Sequence, residues 1–367
     1  MKPNYIFINA LSAKLGGGKT YIRNLLVNLP GDVDVYIVCP DKSILPESDN
    51  VHYIEAGFAN KNILCRAFWE FFWLPFLLSR LNVSVLFSPG GMDFNIFTFG
   101  VPKVTMFRNM LPFDKNALQS ESNNLSKVKN WILKALMLRT MSQSDHVIFI
   151  SKYARDVIKK YMSCSNSSVI YHGVSDNFIP DESISIDNSL LYVSRFESYK
   201  NHLNLIKAYH LMSESLKFKH KLIIIGEEME PAYSQCVKFI KENNLSDNVV
   251  IKGRVPYNEL PIYYKSCSLF IFPSSCENCP NILIEAIGSG AAILSSSTSP
   301  MPEFGRNACG YFNENDPESI SSEMVRVLSN EGELNNLRQN SKELRNSYLW
   351  KQTADNTWRK LTEMVGK

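Results

Sequence analysis

No stretch of this 367-residue chain reaches the ~18 consecutive apolar residues of a membrane-spanning helix. The nearest, "AFWEFFWLPFLL", is broken by Glu70 and Pro75 and bounded by Arg66 and Arg80. The eight cysteines form no disulfide framework, and no secretory leader precedes the first strand-like run, Tyr5–Leu11. Reduced thiols in a cytosolic protein are therefore expected. Cys276-Glu-Asn-Cys279 has the spacing of half a zinc or redox site, but no second pair or His couple follows it, so no metal is expected there. No Asp-x-Asp stands at a strand end to hold a nucleotide-bound metal, and no aromatic RNA-reading motif accompanies the basic residues, so nucleic acid is not an expected partner. Solenoid repeats and low-complexity tracts are absent too.

What remains is an ordinary globular mixture, 45% apolar and 20% charged, in a chain longer than one hydrophobic core usually serves. The net charge of +3 is unevenly placed: residues 1–175 carry 19 Lys and Arg against 12 Asp and Glu, a balance of +7, and the rest carries −4. A basic front half suggests an anionic surface or substrate, with solvated charge as the alternative. Short apolar runs such as "VDVYIVC", "HVIFIS", "KLIIIGE" and "SLFIFPS" alternate with helical patterns over almost the whole length. They are continuous rather than alternating, as in parallel strands covered on both faces. Twelve such runs, seven before and five after the polar segment "SDNFIPDESISIDNS", predict an α/β chain of two doubly wound Rossmann-like domains. The expected boundaries are 1–175, a linker at 176–189, a second domain at 190–349, and a terminal helix at 350–367 packing back on the first domain.

Three places have the residue types for phosphate or ribose chemistry. "SAKLGGGKTYIRNLL" sets Gly17 and Gly18 at a helix start, where backbone N–H groups can approach an anion. As a P-loop it would need a glycine where Ala13 stands; a glycine turn that only packs strand to helix is the other alternative. "LLYVSRFESYKN" ends a strand on Arg195 and puts Lys200 in the following loop, two cations suited to a pyrophosphate. "PSSCENCPNILIEAIGSG" follows a strand with Glu277, then a helix start around Pro280, then Glu285 placed to accept ribose hydroxyls.

Residues 273–296 resemble the signature of the glycosyl transferases group 1 family (glycosyltransferase family 4), nucleotide-sugar enzymes of GT-B architecture. "GGGKT", "HVIFISKYARDVI", "YHGVSDNF", "RFESYKN" and "YLWKQTADNTW" extend the likeness over nearly the whole chain. "ENCPNILIEA" is similar to members that build bacterial cell-surface polysaccharides. The resemblance implies two Rossmann-like domains facing each other across a cleft. It implies a retaining, metal-independent hexosyltransferase without cofactor, using GDP-mannose or a UDP-hexose. The acceptor implied is a glycan or lipid-linked oligosaccharide of O-antigen or capsule-type biosynthesis. Arg195, Lys200 and Glu277 would be catalytic. The donor would be held by Arg195 and Lys200 on its pyrophosphate, Glu277 on its sugar, Glu285 on its ribose, and by Asn281, Ile282, Gly17 and Gly18. Where many members have a His, "VTMFRNMLPF" has Arg108 and Asn109, expected on the acceptor side.

A lipid-linked acceptor would place the chain in the cytoplasm, peripheral at the anionic inner face of the cell membrane. Two front-half stretches have the composition for that contact, "RAFWEFFWLPFLLSR" and "KVKNWILKALMLR". Ordinary crossover helices are the alternative for both. Two other functions remain open on these residues, an ATP-dependent enzyme using Gly18-Lys19-Thr20 and a non-catalytic sugar-nucleotide-binding protein.

Overall fold

In the computed structural model, which describes residues 4–14, 16–114, 118 and 124–366, the apolar runs are strands of two sheets. Every strand pairing among the described residues is parallel. The first sheet contains β1 (Asn4–Asn9), β2 (Val33–Val38), β3 (Val51–Tyr53), β4 (Val85–Ser88), β5 (Lys103–Phe107), β6 (His146–Phe149) and β7 (Ser167–Val169). Its order is β3-β2-β1-β4-β5-β6-β7. The second contains β8 (Leu190–Val193), β9 (Leu222–Ile225), β10 (Val249–Ile251), β11 (Leu269–Phe272), β12 (Ile293–Ser296) and β13 (Cys309–Phe312), in the order β10-β9-β8-β11-β12-β13. Counted from its own first strand, each sheet begins 3-2-1-4-5-6, the doubly wound order. The winding reverses between β1 and β4 in one sheet and between β8 and β11 in the other, so ligand sites are expected beyond the carboxyl ends of those strands. β4, β5, β8, β11 and β12 are buried at every position, and β8 and β11 accordingly read as unbroken apolar runs.

The chain falls into two units, one of Met1–Phe113, Asn124–Gly173 and Trp350–Lys367, the other of Asp114–Asn123 and Val174–Leu349. Residues 176–189, expected as a linker, cluster with the second unit, and Phe178 is fully buried there against the rings of Tyr257 and Tyr264. The terminal helix Trp350–Thr362 lies on the first helix, Gly16–Val27. Trp358 is 1% exposed and its Nε1 donates to the Leu25 carbonyl at 2.9 Å, satisfying an acceptor in the last turn that has no partner within its own helix. A few residues earlier, the Tyr21 hydroxyl and Thr357 Oγ1 are 3.2 Å apart.

The two membrane-contact stretches fold differently from each other. "KVKNWILKALMLR" lies within the helix Asn124–Ser142. Met137 is buried in the core beside β5 and β6, with Leu133 and Leu138 packed against that core, while Val128, Trp131 and Ile132 on the same helix are exposed. "RAFWEFFWLPFLLSR" contributes to a helix at Ile63–Phe68, one π-helical turn at Trp69–Trp73, and a second helix at Leu74–Arg80. Trp69, Leu74 and Leu78 enter the core. No helix among the described residues is long and apolar enough to cross a membrane.

Candidate functional site

In the second unit the loops that follow β8 and β11, the two strands flanking the switch point, are laced together. Ser275 N–H donates to the Tyr199 carbonyl at 2.8 Å and Asn201 Nδ2 donates to the Pro273 carbonyl at 3.0 Å. Asn201 has φ 54, a left-handed conformation that asparagine tolerates, and it turns the chain from the loop into the helix His202–His210. Beneath the β8 loop His202 is stacked on Phe196, with ring centroids 4.1 Å apart. Burial pushes its imidazole down to about 3, so it is neutral packing under the loop.

This lacing brings Lys200 and Glu277, 77 positions apart, into contact. Lys200 Nζ is 2.5 Å from Glu277 Oε1, and the same oxygen accepts from Ser274 Oγ at 2.9 Å. Lys200 is nearly buried, at 7% exposed, so its ammonium is held rather than solvated. Arg195 is also at the end of β8 but its side chain is half-exposed. Its guanidinium is 3.1 Å from Glu227 and 3.7 Å from Glu197. The two cations are therefore unequal: one is fixed and partly desolvated, the other shared with two carboxylates in water-rich surroundings.

Asn281 and Ile282 form the first turn of the helix Asn281–Gly288, whose N–H groups point along its axis toward the loop. Glu285 projects one turn later and is half-buried. Its Oε1 accepts from the Tyr257 hydroxyl at 3.1 Å and its Oε2 from the Tyr264 hydroxyl at 3.2 Å. Desolvation lifts the carboxyl to about 7 in spite of both hydrogen bonds, which act the other way. A carboxylate has about four lone-pair sites, so two remain for a ligand's hydroxyls. Sequence reasoning did not single out Tyr257 and Tyr264. Tyr264 is on the helix Leu260–Ser266 and Tyr257 in the turn before it, so no helical spacing marked them as a pair.

The remaining candidates belong to the first unit. Gly17 and Gly18 form the first turn of the helix Gly16–Val27, and a Cβ on Gly18 would come within 3.1 Å of the Ala13 backbone. A side chain there would crowd the loop where it folds back on its helix. Lys19 Nζ donates to Asp41 Oδ2 at 2.7 Å and holds that carboxyl down to about 2. A P-loop lysine would reach into its own loop, so the ATP-dependent alternative gains nothing here. Arg108 follows β5 with its guanidinium 5.5 Å over the Tyr21 ring, and Asn109 Oδ1 accepts from Leu111 N–H at 3.1 Å. A cavity of about 370 Å³ near Thr98, Gly100, Asp145 and His146 opens by the starts of β5 and β6, the ends opposite to those where open α/β sheets bind ligands.

Residues 176–344 match the family described as Glycosyl transferases group 1, and residues 15–178 match Glycosyltransferase Family 4. The chain is 25% identical over 363 residues to the N-acetylgalactosamine-N,N'-diacetylbacillosaminyl-diphospho-undecaprenol 4-alpha-N-acetylgalactosaminyltransferase of Campylobacter jejuni, covering 93% of each chain. It is 24% identical over 295 residues to the capsular polysaccharide biosynthesis glycosyltransferase CapH of Staphylococcus aureus, covering 75% of this chain and 79% of that one. Anabaena HepE, solved in complex with UDP and glucose, superposes with a TM-score of 0.72 at 12% identity over 98% of this chain and 99% of the other. Two successive family matches, laid over two parallel Rossmann-like sheets, place the chain in the glycosyl transferases group 1 family as a glycosyltransferase of GT-B architecture.

Proposed function

We propose that this glycosyltransferase moves a hexose from a nucleotide-diphosphate sugar to a lipid-linked or glycan precursor of a surface polysaccharide, with retention and without a metal. The reading is carried chiefly by the buried Lys200–Glu277 pair at the switch point of the second sheet. An ammonium has three N–H donors, so Lys200 can keep Glu277 and still donate to a pyrophosphate oxygen. Charge develops on that oxygen as the bond from the anomeric carbon to the leaving diphosphate breaks, and a fixed cation stabilises it there. Arg195 adds a second, more solvated cation. The acceptor hydroxyl attacks the face the diphosphate leaves, and its proton passes to the departing phosphate oxygen. Glu277, oriented by Lys200 and Ser274, accepts from a hydroxyl of the donor sugar with its second oxygen. Glu285 accepts from the ribose. The C. jejuni and S. aureus relatives, by their names, support a polysaccharide pathway and an acceptor on a lipid diphosphate. The UDP of HepE supports a nucleoside diphosphate as the common donor element.

The direct test is thermal unfolding with a panel of nucleotides. A ligand of the folded state stabilises it by ~2.7 kcal/mol at a hundred times its dissociation constant. UDP or GDP is expected to raise the transition by several degrees and ATP to leave it unmoved; a shift with ATP alone would overturn the reading.

Two further outcomes follow from the site's charges. With two protein cations assigned to the pyrophosphate, sugar transfer is expected to survive EDTA at the untreated rate. Loss of transfer, restored by Mn²⁺ or Mg²⁺, would show that a metal is needed. The second concerns pH. Glu285 accepts ribose hydroxyls as a carboxylate, and its carboxyl lies at about 7, so below that pH binding must first release a proton. Nucleotide affinity is therefore expected to fall by about tenfold from pH 8 to pH 6. Titration calorimetry should show protons released on binding near pH 6, and a flat profile would remove Glu285 from the ribose.

A further inference from the structure

The helices after β3 carry a surface that the donor site does not use. From Ala56 to Met92 the chain has one acidic residue, Glu70. It is fully buried, accepting from Arg66 Nε at 2.7 Å, Asn9 Nδ2 at 2.8 Å and the Phe94 N–H at 2.7 Å. The outer face of this stretch therefore presents no carboxylate. It presents Phe58, Leu64, Phe68, Phe72, Trp73 and Phe76, each 50–78% exposed. The π turn at Trp69–Trp73 inserts one extra residue into the helical path, which keeps Trp69 and Glu70 inward while Phe72 and Trp73 face out.

Five phenylalanine rings form one strip, and Trp73 and Phe76 form a second pair with centroids 5.9 Å apart. Ring centroids run from Phe58 to Phe68 at 6.2 Å, on to Phe72 at 4.8 Å, to Phe71 at 4.6 Å and to Phe97 at 5.7 Å. Phe97 brings in the loop after β4, where Phe99 is 73% exposed. Isolated exposed apolar residues are common on any protein, but a continuous strip marks a contact surface. Its borders are basic: Lys61 Nζ is 6.0 Å over the Phe58 ring and Arg80 is exposed at the far end.

We propose that this face seats the chain on an anionic bilayer surface, with the rings in the headgroup–acyl boundary and Lys61 and Arg80 on lipid phosphates. Protein–protein interfaces carry about one hydrogen bond per 100–200 Å². From Ile63 to Phe76 every exposed side chain is apolar except for the Trp73 indole, so a protein partner would find almost nothing to bond. A lipid boundary asks for aromatic rings, a basic rim and no acid, and the strip meets all three. The inference rests on the proposed lipid-linked acceptor for its purpose and on the strip alone for its geometry.

The test is flotation of the full chain with vesicles of phosphatidylcholine, with and without phosphatidylglycerol. Wild type is expected to float with the anionic vesicles, less so at high salt. The double variant Phe68→Ser/Phe72→Ser, and separately Trp73→Ser/Phe76→Ser, should weaken partition at least about tenfold. Both should keep the wild-type thermal shift with UDP or GDP, which shows that they fold. Wild type that ignores anionic vesicles, or variants that bind them as well as wild type does, would overturn the proposal. So would a concentration-dependent dimer that the variants dissociate, because a second copy would then cover the strip. If neither nucleotide shifts wild type while flotation depends on the rings, the donor reading fails and the surface stands. The reverse pattern would leave the enzyme and remove the seat.

Discussion

Lys200→Ala is expected to reduce kcat/KM for sugar transfer by roughly a hundredfold, about 3 kcal/mol. Lys200 is 7% exposed and its ammonium is held by Glu277, so its charge acts on the leaving diphosphate with little water to screen it. Removing it also strips Glu277 of its cation and leaves only the Ser274 hydroxyl on that oxygen. Arg195→Ala should do less, about tenfold or under, because its half-exposed guanidinium already divides itself between Glu227 and Glu197. Initial rates for the two variants, measured at subsaturating donor, give the ranking. Arg195→Ala proving the more damaging, or Lys200→Ala within about threefold of wild type, would mean that the diphosphate lies elsewhere.

Trp358→Ala should produce the largest loss of stability, about 3–5 kcal/mol. The indole is buried in the first unit, and its Nε1 bonds the Leu25 carbonyl. Alanine would leave both a cavity and an unpaired acceptor in the last turn of the helix Gly16–Val27. Two units do not make a two-state protein, so the measurement is urea unfolding followed separately in each. The first unit's transition should move and the second's stay in place. A shift below ~1 kcal/mol would show that the terminal helix can leave without loosening what it covers.

The parallel sheets were legible because strands covered on both faces have little choice of residue: "LLYV" and "LFIF" are apolar throughout since neither side meets water. β13 escaped the same reading. Cys309–Phe312 contains Gly310, which argues against a strand, yet a Cβ there would come within 2.6 Å of Leu294 Cδ2 on β12. The glycine permits a close approach that only the neighbouring strand explains. At the candidate site, Arg195, Lys200, Glu277 and Glu285 stood out by residue type and position after a strand. Tyr257 and Tyr264 did not, since nothing local shows that their segment packs its hydroxyls against another helix. The aromatic strip was only half visible: its helices looked interfacial, but Phe97 joins from a loop after another strand. The helix Asn124–Ser142 looked equally interfacial; the fold puts Met137 and Met141 in the core and leaves Val128, Trp131 and Ile132 exposed.

The bond between Trp358 and Leu25 spans 333 positions, and that distance has a meaning during synthesis. At ~5–20 residues per second, Leu25 leaves the ribosome roughly twenty seconds to a minute before its partner is made. Nearly all of the second unit, Val174–Leu349, is translated in that interval and has its own sheet to form. The first unit begins emerging first yet finishes last, with the face of its opening helix uncovered throughout. Translation stopped before Trp350 would leave that face bare for good, so quality-control machinery has a clear mark by which to tell an aborted copy from a finished one.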